Sequence, residues 1–229
     1  MYRSMDRYFG NLAWWPAETP FEVIAGAVLT QNTAWPNVEK ALDSLRAKGL
    51  LDPESIIRTD GEELGEIIRS SGFFRQKSAR LKSVSRYLYA RGRDWHKVLA
   101  ESPAASVRQE LLNIKGIGKE TADSILLYAL EKKVFVVDNY TKRILTRHFV
   151  TEKGIKYDQV QRIIQESVPA KIQLYKQFHA LFVETAKNFC RKSRPLCGEC
   201  PLRRFKREIK EEEHNYGRKN SSNSDKSRA

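Results

Sequence analysis

The chain has 229 residues, enough for one large or two small domains, and 41% of them are apolar, enough for a real core. No apolar run approaches a bilayer span, and the N-terminus "MYRSMDRYFG" lacks the apolar segment and cleavage site of a secretory signal, so a soluble, cytoplasmic protein is expected. With 41 Lys and Arg against 28 Asp and Glu the net charge is +13; this points to a polyanion such as nucleic acid, and no basic amphipathic helix with a Trp/Leu face favours a membrane surface instead.

Helical periodicity dominates the chain. In "PNVEKALDSLRAK" Val38, Ala41, Leu42 and Leu45 share one face, Pro36 can open the helix and Gly49 can close it. In "DGEELGEIIRSSG" Asp60 and Glu63 resemble a capping box, Leu64, Ile67 and Ile68 form the inward stripe, and Gly72 ends it. Leu81, Val84 and Leu88 repeat the pattern in "QKSARLKSVSRYLYARG", as do Leu174, Phe178, Leu181 and Phe182 in "QLYKQFHALFVETAKNF". "KVFVVD" has strand propensity but no partner strand, so an all-α fold is expected. The last segment is too poor in large apolar residues to offset chain entropy, and residues 207–229 are expected to be disordered.

"LLNIKGIGKETADSILLYA" pairs two short helices across Gly116-Ile117-Gly118. The glycines allow positive φ and close backbone approach. The N–H groups that begin the second helix, near Lys119, make a phosphate site to which Lys115, Lys119 and Thr121 can add. Leu112, Ile114, Ile117, Ala122 and Ile125 would pack the pair. Such contacts reach the DNA backbone and carry no sequence information. Beyond the hairpin, Asp138 ends the apolar run "VFVV" and precedes the helix "NYTKRILTRHF", where a helix cap is the plain alternative to chemistry. Cys190, Cys197 and Cys200 form one cluster, which does not read as a disulfide framework but as a metal site, complete or decayed. His96, His148 and His179 show no ligand spacing and are expected to pack or hydrogen-bond locally.

"IKGIGKETADSI" resembles the helix-hairpin-helix motif. With "VVDNY", "FEVIAGAVLTQNT", "GFFRQKSARL" and the cysteines, it is similar to the endonuclease III-like DNA glycosylases over roughly residues 10–205. The resemblance implies a two-domain all-α helix-hairpin-helix glycosylase fold. Residues 21–132 would form a helical bundle carrying the hairpin (about 111–128). Residues 1–20 with 133–206 would form the second domain, and the cleft between them would hold the site. It makes Asp138 the catalytic acid. A carboxylate there stabilises the oxocarbenium-like sugar as the base leaves and can orient the attacking water.

Relatives that also nick DNA use a lysine amine two residues after the second glycine; here Glu120 stands there, and Lys119, one residue early, is turned by about 100°. A monofunctional enzyme without lyase activity follows. The combination with "AWWP" looks most like the 3-methyladenine DNA glycosylase III branch, which implies an alkylated purine. Trp14, Trp15 and Trp35 would surround the extruded base, a cationic one best of all, with Gln31 and Lys187 nearby and Asn32 filling the gap in the duplex.

The cysteine spacing resembles the iron–sulfur loop of endonuclease III, but Lys206 stands where the fourth thiolate is expected. A cluster with a foreign ligand, a three-iron cluster, zinc or no metal all stay open, with His214 in the tail as an alternative ligand. The expected partner is damaged double-stranded DNA, bound by a monomer.

Overall fold

The computed structural model describes residues 1–12 and 14–205. The tail expected to be disordered, with Lys206 and His214, lies outside the described residues. The described residues are helical, with no strand. In order they form α1 (Tyr2–Phe9), α2 (Pro20–Leu29), α3 (Trp35–Ala47), α4 (Pro53–Arg58), α5 (Gly61–Ile67), a 3₁₀ turn (Arg69–Ser71) and α6 (Phe74–Tyr89). Then come α7 (Trp95–Glu101), α8 (Ala104–Leu112), α9 (Lys119–Ser124) running into a π turn (Ile125–Ala129), α10 (Asn139–Arg147), α11 (Tyr157–Ser167) and α12 (Ile172–Asn188). None is long and apolar enough to cross a membrane.

The central element is α2. Thr19 caps it by accepting the Glu22 N–H at 3.1 Å, Pro20 opens it, and every residue from Phe21 to Leu29 is buried. A helix apolar all round belongs inside. It packs against α3, α6, α9 and the π turn. Glu22, the one charge on it, is 1% exposed and paired with Arg46. Asp60 caps α5 as expected, accepting from Glu62 and Glu63. Leu64 and Ile68 are fully buried, but Ile67 is only half-buried, because α5 ends there and the 3₁₀ turn changes the period. On the far side α12 packs against α1, α10 and the π turn, so the π turn touches both α2 and α12.

"KVFVVD" is extended but pairs with no strand; α11 serves its backbone instead. The Phe135 N–H donates to Gln165 Oε1 at 2.8 Å, Gln161 Nε2 donates to the Phe135 carbonyl at 2.6 Å, and the Val137 N–H donates to Tyr157 Oη at 3.2 Å. Buried peptide groups need partners, and side chains suffice. Phe135, Val136 and Val137 fill the core behind Asp138.

Lys77 on α6 is fully buried. Its ammonium donates to the Leu29 carbonyl at 2.8 Å, Thr33 Oγ1 at 2.6 Å and the Ser71 carbonyl at 2.6 Å. All three donors are used, and the end of α2, the loop to α3 and the 3₁₀ turn are tied to one point. Burial, with a smaller push from Arg80, lowers this amine to about 8. Lys77→Met would strand several buried acceptors, and a loss of about 3 kcal/mol of unfolding free energy is expected, measured by urea denaturation.

Candidate active site

Asp138 is the N-cap of α10: Oδ1 accepts the Thr141 N–H at 2.6 Å. The residue is 8% exposed. Oδ2 lies 3.7 Å from His179 Nε2 on α12. Burial pushes the carboxyl up, but the adjacent His179 imidazole and the Thr141 amide together hold it below the usual carboxylate range. Cap and buried anion are therefore the same group, not alternatives.

An aromatic cluster adjoins it. Trp14 meets the His179 ring edge-on at 6.4 Å, and Tyr128 Oη lies 2.7 Å from His179 Nδ1. Trp15 tilts over Tyr128 at 4.9 Å and meets Trp35 edge-on at 5.5 Å. Gly26 makes room for it, since a Cβ there would stand 3.3 Å from the indole nitrogen. Trp35 joins through Trp15 and donates its indole N–H to Glu39 at 2.8 Å. The Lys187 ammonium rests 5.2 Å over the Trp14 ring and is paired with Glu184 at 3.3 Å.

The hairpin departs from the sequence expectation in three ways. Gly116 has φ +88° and a Cβ there would collide with the Arg80 side chain, but Gly118 is extended (φ −92°, ψ 178°), with open space beside it as the N-cap of α9. Gln31 is engaged with the hairpin: its amide donates to the Gly116 carbonyl at 3.1 Å and to Thr121 Oγ1 at 2.9 Å, and it accepts from Arg80 at 2.5 Å. Thr121 is consequently buried against α2 rather than offered to phosphate, and Lys119 is paired with Asp158. Lys115 and the Gly118 backbone remain at the surface. Asn32 is exposed with φ +53°, and Phe73 beside the 3₁₀ turn is 63% exposed with φ +47°. Lys77 tethers both loops.

Glu120, in the first turn of α9, meets solvent. Even so, the surrounding protein, and then repulsion from Asp138, push its carboxyl up to about 7, against His179 and Lys142. His179 was expected only to pack or hydrogen-bond locally, and Tyr128 and Phe73 were given no place in the site. Glycine before an exposed aromatic, "SGFF", was the available signal for Phe73; nothing in the one-dimensional pattern marked Tyr128.

Cys190 and Cys200 are buried thiols and Cys197 is half-buried. Arg143 donates to the Cys190 carbonyl at 2.8 Å; Arg147 donates to the Arg191 and Lys192 carbonyls at 2.6 and 2.9 Å and lies 3.3 Å from Cys190 Sγ. Side chains of α10 thus hold the start of this loop. Among the described residues no three His, Cys, Asp or Glu side chains converge to hold a metal ion. With Lys206 at the fourth position, the residues do not fit a four-thiolate cluster, and no step below runs through one.

A helix-hairpin-helix beside a capped, buried acid and an aromatic cluster defines a base excision DNA glycosylase. Residues 25–170 match the family model described as HhH-GPD superfamily base excision DNA repair protein, and the chain belongs to that superfamily. It is 44% identical over 206 residues to MJ1434 of Methanocaldococcus jannaschii, a provisionally named DNA repair glycosylase, covering 90% of this chain and 93% of that one. It is similar to the crystal structure of H. pylori 3-methyladenine DNA glycosylase bound to 1,N6-ethenoadenine, with TM-score 0.69 and 32% identity over 81% of this chain and 94% of that one. A non-covalent endonuclease III–DNA complex shares the fold, with TM-score 0.76 and 23% identity over 90% and 92% of the two chains.

The folded Glu120 carboxyl titrates above its unfolded value of 4.5. Its contribution to stability is complete below that value and is lost as pH rises through about 7. Glu120→Gln removes this dependence, so from about pH 5 to about pH 8 the melting temperature of the wild type should fall relative to the variant. Thermal melts across pH read the difference, which solvent contact keeps small.

Proposed function

We propose that this chain is a monofunctional DNA N-glycosylase that hydrolyses the N-glycosidic bond of an alkylated purine, such as 3-methyladenine, in double-stranded DNA. The observation that carries the reading is the buried Asp138 carboxylate, capping α10 beside the Trp14–His179–Tyr128 group. In a low-dielectric site a fixed anion stabilises the developing sugar cation far more than it would in water. The base leaves with the bonding electron pair, water adds at the sugar carbon, and Asp138 orients that water and accepts its proton. An alkylated, positively charged purine departs readily and calls for no strong general acid.

The aromatic faces suit such a base. Trp14 already holds the Lys187 ammonium over its ring, so that face attracts a cation, and Glu184 balances the lysine. The H. pylori relative, named as a 3-methyladenine glycosylase and bound to a purine adduct, supports the purine assignment. Lys115 and the Gly116–Gly118 backbone contact phosphate, and the +13 charge draws in the duplex. Asn32 and Phe73 are the groups that enter the stack as the base is extruded. Glu120 has no amine with which to form a Schiff base, and Lys119 is held on Asp158.

On methylated DNA the wild type is expected to release alkylated purine. Asp138→Asn should lose at least about 10²-fold in single-turnover release, with DNA affinity unchanged. Wild type that releases no purine, or a variant that releases it as fast, removes the assignment. With abasic-site DNA and borohydride no covalent adduct should form; a trapped band on a denaturing gel would instead establish lyase chemistry.

A further inference from the structure

His179 is 5% exposed and sits between two functional elements. Its Nδ1 is committed to Tyr128 Oη at 2.7 Å. Its Nε2 is fully buried, has no hydrogen-bond partner, and points at Asp138 Oδ2 across 3.7 Å. A buried polar nitrogen left without a partner is costly, and such orphans call for an explanation. The position of its hydrogen follows from the neighbours. A lone pair on Nε2 would face the lone pairs of a carboxylate, so Nε2 carries the hydrogen. The remaining nitrogen then accepts from the tyrosine O–H. If the ring is protonated, Nδ1 donates to Tyr128 Oη instead, and the tyrosine hydroxyl turns to the Lys176 carbonyl at 3.4 Å. In both states an N–H is aimed at Asp138.

We propose that His179 is a positioning residue for the Asp138 carboxylate: Tyr128 fixes the ring so that its Nε2 hydrogen holds the acid ionised and oriented where water is excluded. The 3.7 Å separation exceeds a hydrogen bond by about 0.8 Å, close enough for the N–H dipole to act on the carboxylate in the free protein. The assignment of Asp138 as the catalytic acid rests on the function proposed above, but the coupling itself belongs to the free protein. Tyr128 lies in the π turn, where the extra residue per turn re-aims side chains. It is 7% exposed, and Trp15 covers it. The ionisable groups that interact with Asp138 are Glu120 from α9, Tyr128 from the π turn and His179 from α12, while Lys142 on α10 acts on Glu120. Of these, His179 alone both approaches the carboxylate directly and can donate to it.

The test is a carboxyl-carbon NMR titration of the full-length protein without DNA, with Asp138→Asn assigning the resonance. His179→Leu is expected to raise the Asp138 midpoint by about 1–3 pH units. Tyr128→Phe should move it by less in the same direction, and His179→Gln, whose amide can donate, should stay near wild type. An unmoved midpoint in His179→Leu overturns the proposal. If that variant does not fold, Tyr128→Phe decides, since it removes one oxygen; no shift there overturns it equally. The pH profile of base release gives the second reading, with the acid limb of His179→Leu displaced upward and DNA affinity unchanged. A wild type inactive on methylated DNA would defeat the substrate assignment while leaving the titration to decide this one.

Discussion

An anion that must stay charged where little water reaches it constrains the whole site. Burial opposes the charge on Asp138, and the His179 imidazole and the Thr141 amide work against it. Both depend on distant architecture. The amide requires α10 to begin at residue 139, and that requires the preceding run to stop being extended there. The imidazole requires α12 to lie across the π turn. The fold therefore brings together residues far apart in the chain, such as Tyr128 and His179, 51 positions apart.

A second network joins the surfaces that would meet DNA. Gln31, just beyond α2, staples the hairpin, Arg80 on α6 holds Gln31, and three positions earlier Lys77 gathers the loops bearing Asn32 and Phe73. Two of these residues are cations that the core or the hairpin consumes, so part of the positive surplus is structural. Lys119 and Arg108, both paired with Asp158, belong to the same category. Free positive charge near the hairpin is thus smaller than the sequence count implies, and the backbone amides beside Gly118 matter more.

Much of this was legible in the sequence, for identifiable reasons. The helices follow from the 3.6 period, which burial enforces at Val38, Leu42, Leu45, Leu81, Val84 and Leu88. Asp138 stood out as a short polar residue between an apolar run and a helix, where the pattern alone read as a cap and only the family resemblance suggested chemistry; the hairpin was legible because glycine pairs are conspicuous. Two things were hidden. Period-based reading assumes α-geometry, so the π turn that directs Tyr128 left no mark. Hydrogen bonds of long sequence separation, such as Gln31 to Thr121 across 90 residues, have no local signature, so the engagement of Gln31 with the hairpin was not legible. His179 lay on the inward face of a helix that periodicity identified, yet periodicity alone cannot distinguish a packed imidazole from one aimed at an acid.

The extended run from Phe135 to Val137 has a consequence outside the site. Three consecutive large apolar residues in an open conformation are the kind of segment that recruits a neighbouring molecule into a ladder. Here glutamine and tyrosine side chains of α11 occupy peptide groups along the run, and its rings and methyls face inward. No sticky rim is presented to other copies while α11 stays docked. Loosening α11 would therefore free these peptide groups as well as the run that leads into Asp138, tying solubility to a helix that carries none of the proposed reactive groups.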